Sequence, residues 1–209
     1  MEYQAASPLR PDSGADPGAV RREMLARRRA LAPGDVDRAS GILVRRLLDL
    51  PELAGSKRIA AYLGIRGEID PSALRHVERL EVALPVTTPG EPLRFVVPSG
   101  PLVEGPYGIL QPGEGAEVDP LGLDLIVVPL VAVDRRGNRV GHGAGFYDRT
   151  FAARADRPPP PVLLGVCHGF QVVEALSAQP WDVPVDLVVT DAGILRPGMA
   201  HRGAGMGED

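Results

Sequence analysis

The sequence predicts an α/β domain built on a mostly parallel sheet with helices on both faces. Short apolar runs bounded by turn residues are typical of buried strands, whereas longer segments with apolar residues every three or four positions indicate amphipathic helices. The two kinds of segment alternate along the chain, which favours βαβ connections and therefore parallel pairing. A length of 209 residues suits one such domain with a sizeable core.

About six apolar runs are strand candidates. They are residues 59–63, 82–86, 93–97, 125–128, 162–166 and 187–190. Helices are expected at about 19–31, from 36 to about 50, after Pro71, from Phe146 and at 170–177. Residues 99–120 are predicted to be a long loop, and long loops in compact domains are often functional.

The first helix places Val20, Met24 and Leu31 on one side, and its arginines are interpreted as a solvated face. Pro33-Gly34-Asp35 ends this helix and caps the next one. Four prolines at 158–161 are interpreted as a rigid linker before the strand at 162–166.

Composition limits the possible partners and environment. The net charge of −4 gives no reason to expect a nucleic-acid partner, and no apolar run approaches the roughly 20 residues of a membrane helix. Cys167 is the only cysteine, which fits a reducing compartment; it could be a nucleophile but more often such a residue is simply packed. We expect a cytoplasmic protein, with a disordered tail at 1–17, a single domain at 18–196 and a second disordered tail at 197–209.

The clearest functional signal follows the strand at 125–128. A turn at 134–138 leads to glycines at 141, 143 and 145, and then to a helix near Phe146. Glycine lets backbone N–H groups approach a phosphate, so a strand, glycine loop and helix start form a common anion site. Arg139 could pair with phosphate oxygens, while Asp148 could cap the helix or hold a Mg²⁺ that bridges phosphates. The glycines alone are equally compatible with an ordinary turn.

Two better-known glycine loops are excluded. The dinucleotide fingerprint Gly-x-Gly-x-x-Gly would need a glycine where Phe146 stands. A P-loop ends in Gly-Lys-Ser/Thr, and the only lysine of the chain is Lys57, far from this loop. Arginine side chains and backbone N–H groups must therefore provide any phosphate binding in this loop. Arginine is sufficient for this, because guanidinium binds phosphate bidentately.

The run NRVGHGAGFYDR at 138–149 resembles the signature of the 5-formyltetrahydrofolate cyclo-ligases, also called 5,10-methenyltetrahydrofolate synthetases. The resemblance extends from about Val20 to Ile194. It implies a three-layer α/β/α sandwich similar to the sugar-phosphate isomerase and CoA transferase-like fold. It also implies an enzyme that uses ATP and Mg²⁺ to convert 5-formyltetrahydrofolate to 5,10-methenyltetrahydrofolate, with release of ADP and phosphate, and that is expected to be a monomer.

The resemblance also assigns residues to roles. ATP binding is implied for Arg21, Arg139, Gly141, His142, Gly143, Ala144, Gly145, Phe146 and Tyr147, with Arg139 and Tyr147 as catalytic residues. Substrate contacts are implied for Leu63, Glu68, His142 and Phe146, and metal binding for Asp148 and Asp182. Two positions depart from the family pattern. Pro17 stands where a lysine often contacts ATP, and Trp181 stands where histidine is common.

Plainer interpretations remain open beside these roles. Glu68 is also compatible with an ordinary exposed loop residue, and Asp182 with a turn residue bonded to its own backbone. Tyr107 could stack on a pterin ring or cover the core. The competing functions are an enzyme of the same fold acting on another N-formyl or amide substrate, a non-catalytic reduced-folate-binding protein, and a sugar-phosphate-binding regulator.

Overall fold

Eight strands form the central sheet of the computed structural model, which describes residues 14–154 and 158–197. With strands numbered in chain order, the sheet runs from one edge to the other as β13 (Ile194–Leu195), β12 (Leu187–Thr190), β10 (Val162–Cys167), β7 (Leu125–Pro129), β1 (Arg58–Ala60), β2 (Glu81–Val86), β3 (Arg94–Pro98) and β6 (Gly115–Val118).

The middle of this sheet is parallel and its edges are antiparallel. Strands β12, β10, β7, β1 and β2 pair in parallel, whereas β13, β3 and β6 pair antiparallel. The expected α/β fold with a large, mostly parallel central sheet is confirmed. After β1 the chain continues to β2 on one side, and after β7 to β10 on the other. Such a reversal of strand order opens a crevice at the carboxyl edge of the sheet.

Four α-helices lie in the described residues: α1 (Pro17–Arg29), α2 (Pro33–Leu48), α3 (Pro51–Ala54) and α4 (Phe146–Phe151). The first three begin with proline, which suits the first helical position because its missing N–H needs no partner there. Asp16 caps α1 by accepting from the N–H groups of Gly18 at 3.1 Å and Ala19 at 2.9 Å. The helices predicted at 19–31 and 36–50 are therefore found, displaced by about two residues.

Strand side chains alternate between two separate cores. On one face, Ile59, Leu125 and Val127 pack with α2, which contributes Leu43 and Leu47. On the other face, the intervening residues of the same strands, such as Ile126 and Val128, pack with Phe151 of α4 and Val133. This period of two is what places successive strand residues on opposite faces.

Two small sheets complete the fold. Strands β8 (Ala132–Asp134), β9 (Arg139–Val140) and β11 (Val172–Val173) form one, and α1 packs against it through Val20 and Met24. Strands β4 (Leu102–Glu104) and β5 (Leu110–Pro112) form a hairpin. The predicted loop at 99–120 is therefore wrong in part, since it contains β4, β5 and β6, and the count of about six strands was too low.

Two predicted helices are not formed. After Pro71 the chain makes only a 3₁₀ turn, Ser72–His76. The helix expected at 170–177 is replaced by a 3₁₀ turn, Gly169–Gln171, and by β11, which pairs in parallel with β8. The Gln171 side chain donates to the carbonyls of Leu130 and Val131, and Val172 and Val173 are β-branched, so tertiary pairing outweighs the helical spacing of the apolar residues.

The ends of the domain differ from the expected boundaries. Ala15, assigned to the N-terminal tail, pairs with Leu176, and Asp16 caps α1. Residues 1–13, 155–157 and 198–209, which include most of both predicted tails, lie outside the described residues. None of the described helices is both long and apolar enough to cross a membrane. Burial raises the pKa of the Cys167 thiol, which favours packing over nucleophilic chemistry.

Candidate active site

The carboxyl edge of the sheet brings together segments that are distant in the sequence. The segment 61–71 follows β1, and the chain that follows β7 leads through β8 and β9 to the glycine loop at 141–145. Since β1 and β7 are adjacent and parallel, both segments emerge at the same edge. The substrate residues and the phosphate-binding residues predicted from the sequence therefore lie side by side.

A buried carboxylate fixes the turn that leads into the glycine loop. Asp134 is fully buried and accepts from the backbone N–H groups of Arg136, Asn138 and Leu176, and from the Asn138 side chain, at 2.9–3.0 Å. A carboxylate with several N–H partners holds its segment firmly. The hairpin of β8 and β9 thus presents residues 141–145 in a defined place.

Two of the three loop glycines adopt conformations that other residues disfavour. Gly143 has φ +104° and Gly145 has φ +66°, whereas Gly141 lies outside the left-handed region. Gly145 immediately precedes α4, which has six residues. A helix this short has a small dipole, so backbone amides and arginines must supply most of the attraction for an anion here.

Two arginines lie near the start of the loop. Arg21 of α1 donates from Nε to the Gly141 carbonyl at 2.7 Å, which ties α1 to the loop. Arg139, at the start of the loop, donates to Asp148 Oδ1 at 2.7 Å, with only 5% of its side chain exposed. The buried Nε of Arg139 has no hydrogen-bond partner among the described residues. A buried donor without a partner costs about 1–3 kcal/mol, so an acceptor that reached this atom would bind favourably.

The Tyr147 phenol lies beside these charges. Its ring is 5.9 Å from the guanidinium carbon of Arg139. Burial raises the pKa of Tyr147 above its usual range; Arg139 opposes this shift and Glu68 adds to it. The hydroxyl therefore stays protonated near neutral pH and can donate or accept a hydrogen bond, but it is not a general base.

The two predicted metal ligands have different surroundings. Asp148 faces the loop, where Oδ1 accepts from Arg139 and, at 3.3 Å, from the N–H of Val183. Asp182 accepts from the Gln179 N–H at 2.8 Å, which is the local turn bond of the plainer interpretation. No group of three or more acidic, histidine or cysteine ligands occurs among the described residues. Mg²⁺ usually takes one or two carboxylates together with water and substrate phosphates, so Asp148 fits this ion.

Glu68 is buried and contacts the glycine loop. Its Oε1 lies 2.9 Å from His142 Nε2 and 3.3 Å from Arg28 Nη2, and its Oε2 accepts from the Ile65 N–H at 3.3 Å. The interpretation of Glu68 as an ordinary exposed loop residue is therefore wrong, because the sheet edge and α1 enclose it. A groove of about 580 Å³ lies between α2 and residues 64–73, with Glu68 in its wall.

An aromatic pair lies next to the segment that carries this carboxylate. Phe146 and Tyr107 meet edge to face, with ring centroids 6.3 Å apart, and the Arg66 side chain donates to the Tyr107 carbonyl at 3.2 Å. Tyr107 is 55% exposed, so it does not cover the core. Leu63, half-buried, follows β1 in the same segment as Glu68. Offset or edge-on aromatic surfaces of this kind suit a flat heterocycle.

Comparison with known proteins decides the family. The model of the 5-formyltetrahydrofolate cyclo-ligase family matches residues 14–191. The chain belongs to the 5-formyltetrahydrofolate cyclo-ligase family. The resemblance drawn from residues 138–149 is confirmed.

Relatives agree with this assignment over most of their length. The chain is 34% identical over 179 residues to the 5-formyltetrahydrofolate cyclo-ligase of Escherichia coli K12, covering 80% of this chain and 96% of the relative. It is 35% identical over 181 residues to the Haemophilus influenzae protein of the same name, covering 81% and 95%. The NMR structure of Aquifex aeolicus 5,10-methenyltetrahydrofolate synthetase superposes with a TM-score of 0.75 at 32% identity, covering 92% of this chain and 96% of that one.

Sequence reasoning missed two buried polar residues of this cyclo-ligase family member. Arg28 was assigned to a solvated arginine face, yet it is 2% exposed and contacts Glu68. The burial of Arg28 could have been predicted, because Arg28 follows Val20 and Met24 at intervals of four residues on the same helix face. His168, just after β10, is also buried and lies 2.9 Å from the Gly67 carbonyl. No local pattern marks it, since its burial depends on the segment after β1.

Proposed function

We propose that this chain is an ATP-dependent ligase that cyclises 5-formyltetrahydrofolate to 5,10-methenyltetrahydrofolate, releasing ADP and phosphate. One observation carries the proposal beyond family membership. The predicted phosphate loop and the predicted folate carboxylate are in direct contact, through His142 and Glu68 at 2.9 Å. A transfer of phosphate to the folate requires these two substrates to meet at one point.

The phosphate half of the site uses arginine and backbone. Arg139 supplies a buried guanidinium with an unpartnered donor, and Arg21 holds the loop at Gly141. The amides of residues 141–147 would face the phosphate oxygens of ATP, including those of His142, Ala144 and Tyr147. Phosphoryl transfer demands little more of a protein than positioning and positive charge, which this set provides.

The folate half combines one carboxylate with apolar walls. Glu68 would accept from N–H groups of the reduced pterin, since a buried carboxylate is a strong acceptor. Phe146 and Tyr107 would contact the ring faces, and Leu63 would bound the pocket. We propose that His142 gives way to the substrate, because its side chain is 41% exposed and can move outward.

The reaction follows from this placement. The formyl oxygen attacks the γ-phosphorus of ATP, the bond to the bridging oxygen breaks, and ADP leaves. The phosphorylated oxygen is now a good leaving group, so N10 of the folate attacks the formyl carbon and phosphate departs with that oxygen. N10 loses its proton to solvent, and the product carries the methenyl bridge between N5 and N10. Arg139 stabilises the charge that develops on the transferred phosphoryl group.

Mg²⁺ would be held by Asp148, and it would supply charge neutralisation between the β- and γ-phosphates. Ion pairing with Arg139 keeps the Asp148 carboxylate near the phosphate loop before nucleotide binds. Asp182 remains a candidate second ligand, because Val183 next to it donates to Asp148. To serve as a ligand, Asp182 would have to release the Gln179 N–H.

We further propose that the protein acts as a monomer of one domain in the cytoplasm. A reducing compartment suits Cys167, which is a buried free thiol. Its substrates would be small molecules, and the net charge of −4 supports neither a nucleic-acid nor a membrane partner.

The test is an absorbance assay. Purified protein is mixed with 5-formyltetrahydrofolate, ATP and Mg²⁺, and the near-ultraviolet absorbance of the methenyl product is followed. We expect a rise that requires ATP and that falls at least tenfold in Asp148→Ala. Asp119→Ala is the matched control, because Asp119 caps an exposed 3₁₀ turn away from this edge.

A protein that binds reduced folate but produces no methenyl product with ATP would refute the enzyme proposal. A rise that is unaffected in Asp148→Ala would keep the reaction but remove Asp148 from the metal site. Titration of Mg²⁺ shows whether Asp148 binds the metal, since loss of a metal ligand raises the Mg²⁺ concentration needed for half-maximal rate.

A further inference from the structure

Arg28 is a buried cation whose donors are mostly unused. It is 2% exposed, and its Nη2 lies 3.3 Å from Glu68 Oε1 and 3.4 Å from the Arg66 carbonyl oxygen. Its Nε and Nη1 are buried without a hydrogen-bond partner among the described residues. Burying a guanidinium is unfavourable unless a negative charge compensates it, and Glu68 is the carboxylate it contacts.

Arg28 and His142 share one oxygen of Glu68. Both approach Oε1, but 1% of the Arg28 side chain is exposed compared with 41% of the His142 side chain. The partner that is enclosed by the fold remains when a ligand arrives, and the exposed one can be exchanged. Arg28 is therefore the permanent partner of the carboxylate.

One helix connects this carboxylate to the phosphate loop. Arg28 and Arg21 are seven residues apart on α1, which places them about two turns apart on the same side. Arg21 contacts Gly141, and Arg28 contacts Glu68 and Arg66. Through α1, the segment after β1 is held at a fixed distance from the loop.

We propose that Arg28 is a positioning residue that orients the Glu68 carboxylate for the N–H donors of the reduced folate. The proposal rests on the function proposed above. A buried ion pair is weak evidence for stability, because well-packed apolar residues often replace one without loss. The burial of Arg28 against Glu68 is better explained by orientation of the carboxylate. Its guanidinium fixes one oxygen of Glu68 and the Arg66 carbonyl together, so the rotamer of the carboxylate and the path of its loop are set before substrate binds.

The test compares four variants with the wild type: Arg28→Met, Arg28→Lys, Glu68→Gln and the double variant Arg28→Met/Glu68→Gln. Arg29→Met is the matched control, since Arg29 is the exposed neighbour on the same helix. The KM values for 5-formyltetrahydrofolate and for ATP are measured separately. The Kd for 5-formyltetrahydrofolate without ATP is measured by calorimetry, and each variant's melting temperature is recorded.

In Arg28→Met we expect the folate KM and Kd to rise roughly tenfold to a hundredfold, which corresponds to the free energy of one charge-assisted hydrogen bond. The ATP KM should change less than about twofold. Arg28→Lys should recover part of the loss, because the charge remains but a shorter side chain places it differently from Nη2. In the Glu68→Gln background, Arg28→Met should add less than about twofold. Arg29→Met should match the wild type.

The proposal would be overturned if Arg28→Met raised the folate KM and the ATP KM equally. It would also be overturned if Arg28→Met weakened folate binding as much in the Glu68→Gln background as in the wild type. A lower melting temperature with unchanged folate Kd would show that Arg28 is only structural. If Arg28→Met does not fold, the same comparison is made in Arg28→Lys: the folate KM and Kd should rise while the ATP KM stays nearly unchanged. A wild type without ATP-dependent turnover would refute the proposed function instead, and the calorimetric Kd values would still test Arg28.

Discussion

The three alternating glycines of the loop should not be equivalent, although the sequence pattern treats them alike. Gly143 and Gly145 have φ +104° and φ +66°, whereas the φ of Gly141 is not in the left-handed region. A Cβ added to Gly141 would have no atom within 4 Å, and one added to Gly145 would lie 2.9 Å from Arg149 Nη1. Alanine substitutions at the three positions should therefore differ in how much they strain the loop.

The expected magnitudes follow from these angles. Gly143→Ala should lower the free energy of unfolding by about 1–3 kcal/mol, because a non-glycine residue is strained there. Gly145→Ala should lower it by about 1–2 kcal/mol. The guanidinium of Arg149 can move aside at little cost, so the main penalty is the left-handed backbone conformation. Gly141→Ala should be neutral or stabilising by up to about 1 kcal/mol, because alanine restricts the unfolded chain.

Equilibrium urea unfolding followed by circular dichroism measures this order, and the ATP KM of each folded variant adds a second readout. If Gly141→Ala destabilises the protein as much as Gly143→Ala does, the inference from backbone angles is refuted. A raised ATP KM in Gly141→Ala with unchanged stability would have another meaning. It would place the phosphate in the open space beside Gly141.

Three further predictions concern single side chains. Arg139→Lys should raise the ATP KM about tenfold and leave the folate KM unchanged, because lysine keeps the charge but loses the bidentate fork; steady-state kinetics with each substrate varied measures this. Asp134→Asn should lower the free energy of unfolding by about 2–3 kcal/mol in urea melts, since an amide cannot accept all the N–H groups around this buried carboxylate; an unchanged midpoint would contradict the role of Asp134. Burial lowers the pKa of His168, an effect that the bond to the Gly67 carbonyl opposes, so the unfolded chain binds the proton more tightly. Stability should therefore fall as pH drops below about 6.5, and thermal melts across pH should show a shallower fall in His168→Gln than in the control His76→Gln.

Local patterns predicted much of the fold because neighbours in sequence decide them. The apolar run at 125–128 became β7, the periodic segments near 19–31 and 36–50 became α1 and α2, and the glycine loop precedes a helix at Phe146 as expected. Arg139 and Asp148 are likewise close in sequence, and their ion pair lies within the motif itself. For such features the range of the interaction is short enough for the sequence alone to show it.

Features that depend on the order of strands could not be predicted in this way. Glu68 meets Arg28 across 40 residues and His142 across 74, and both contacts exist because β1 and β7 are neighbours in the sheet. The segment 170–177 has helical spacing, but pairing with β8 and the bonds of Gln171 make it extended.

The sequence by itself therefore determined the class of fold, the family and the position of the glycine loop, since periodicity and a contiguous motif indicate these. Only the tertiary structure decided that Glu68 is buried, that Arg28 forms a buried ion pair with it and that Asp182 accepts a hydrogen bond within its own turn. The physical reason is that burial and charge pairing are properties of the space between elements, and that space is defined only when the sheet assembles.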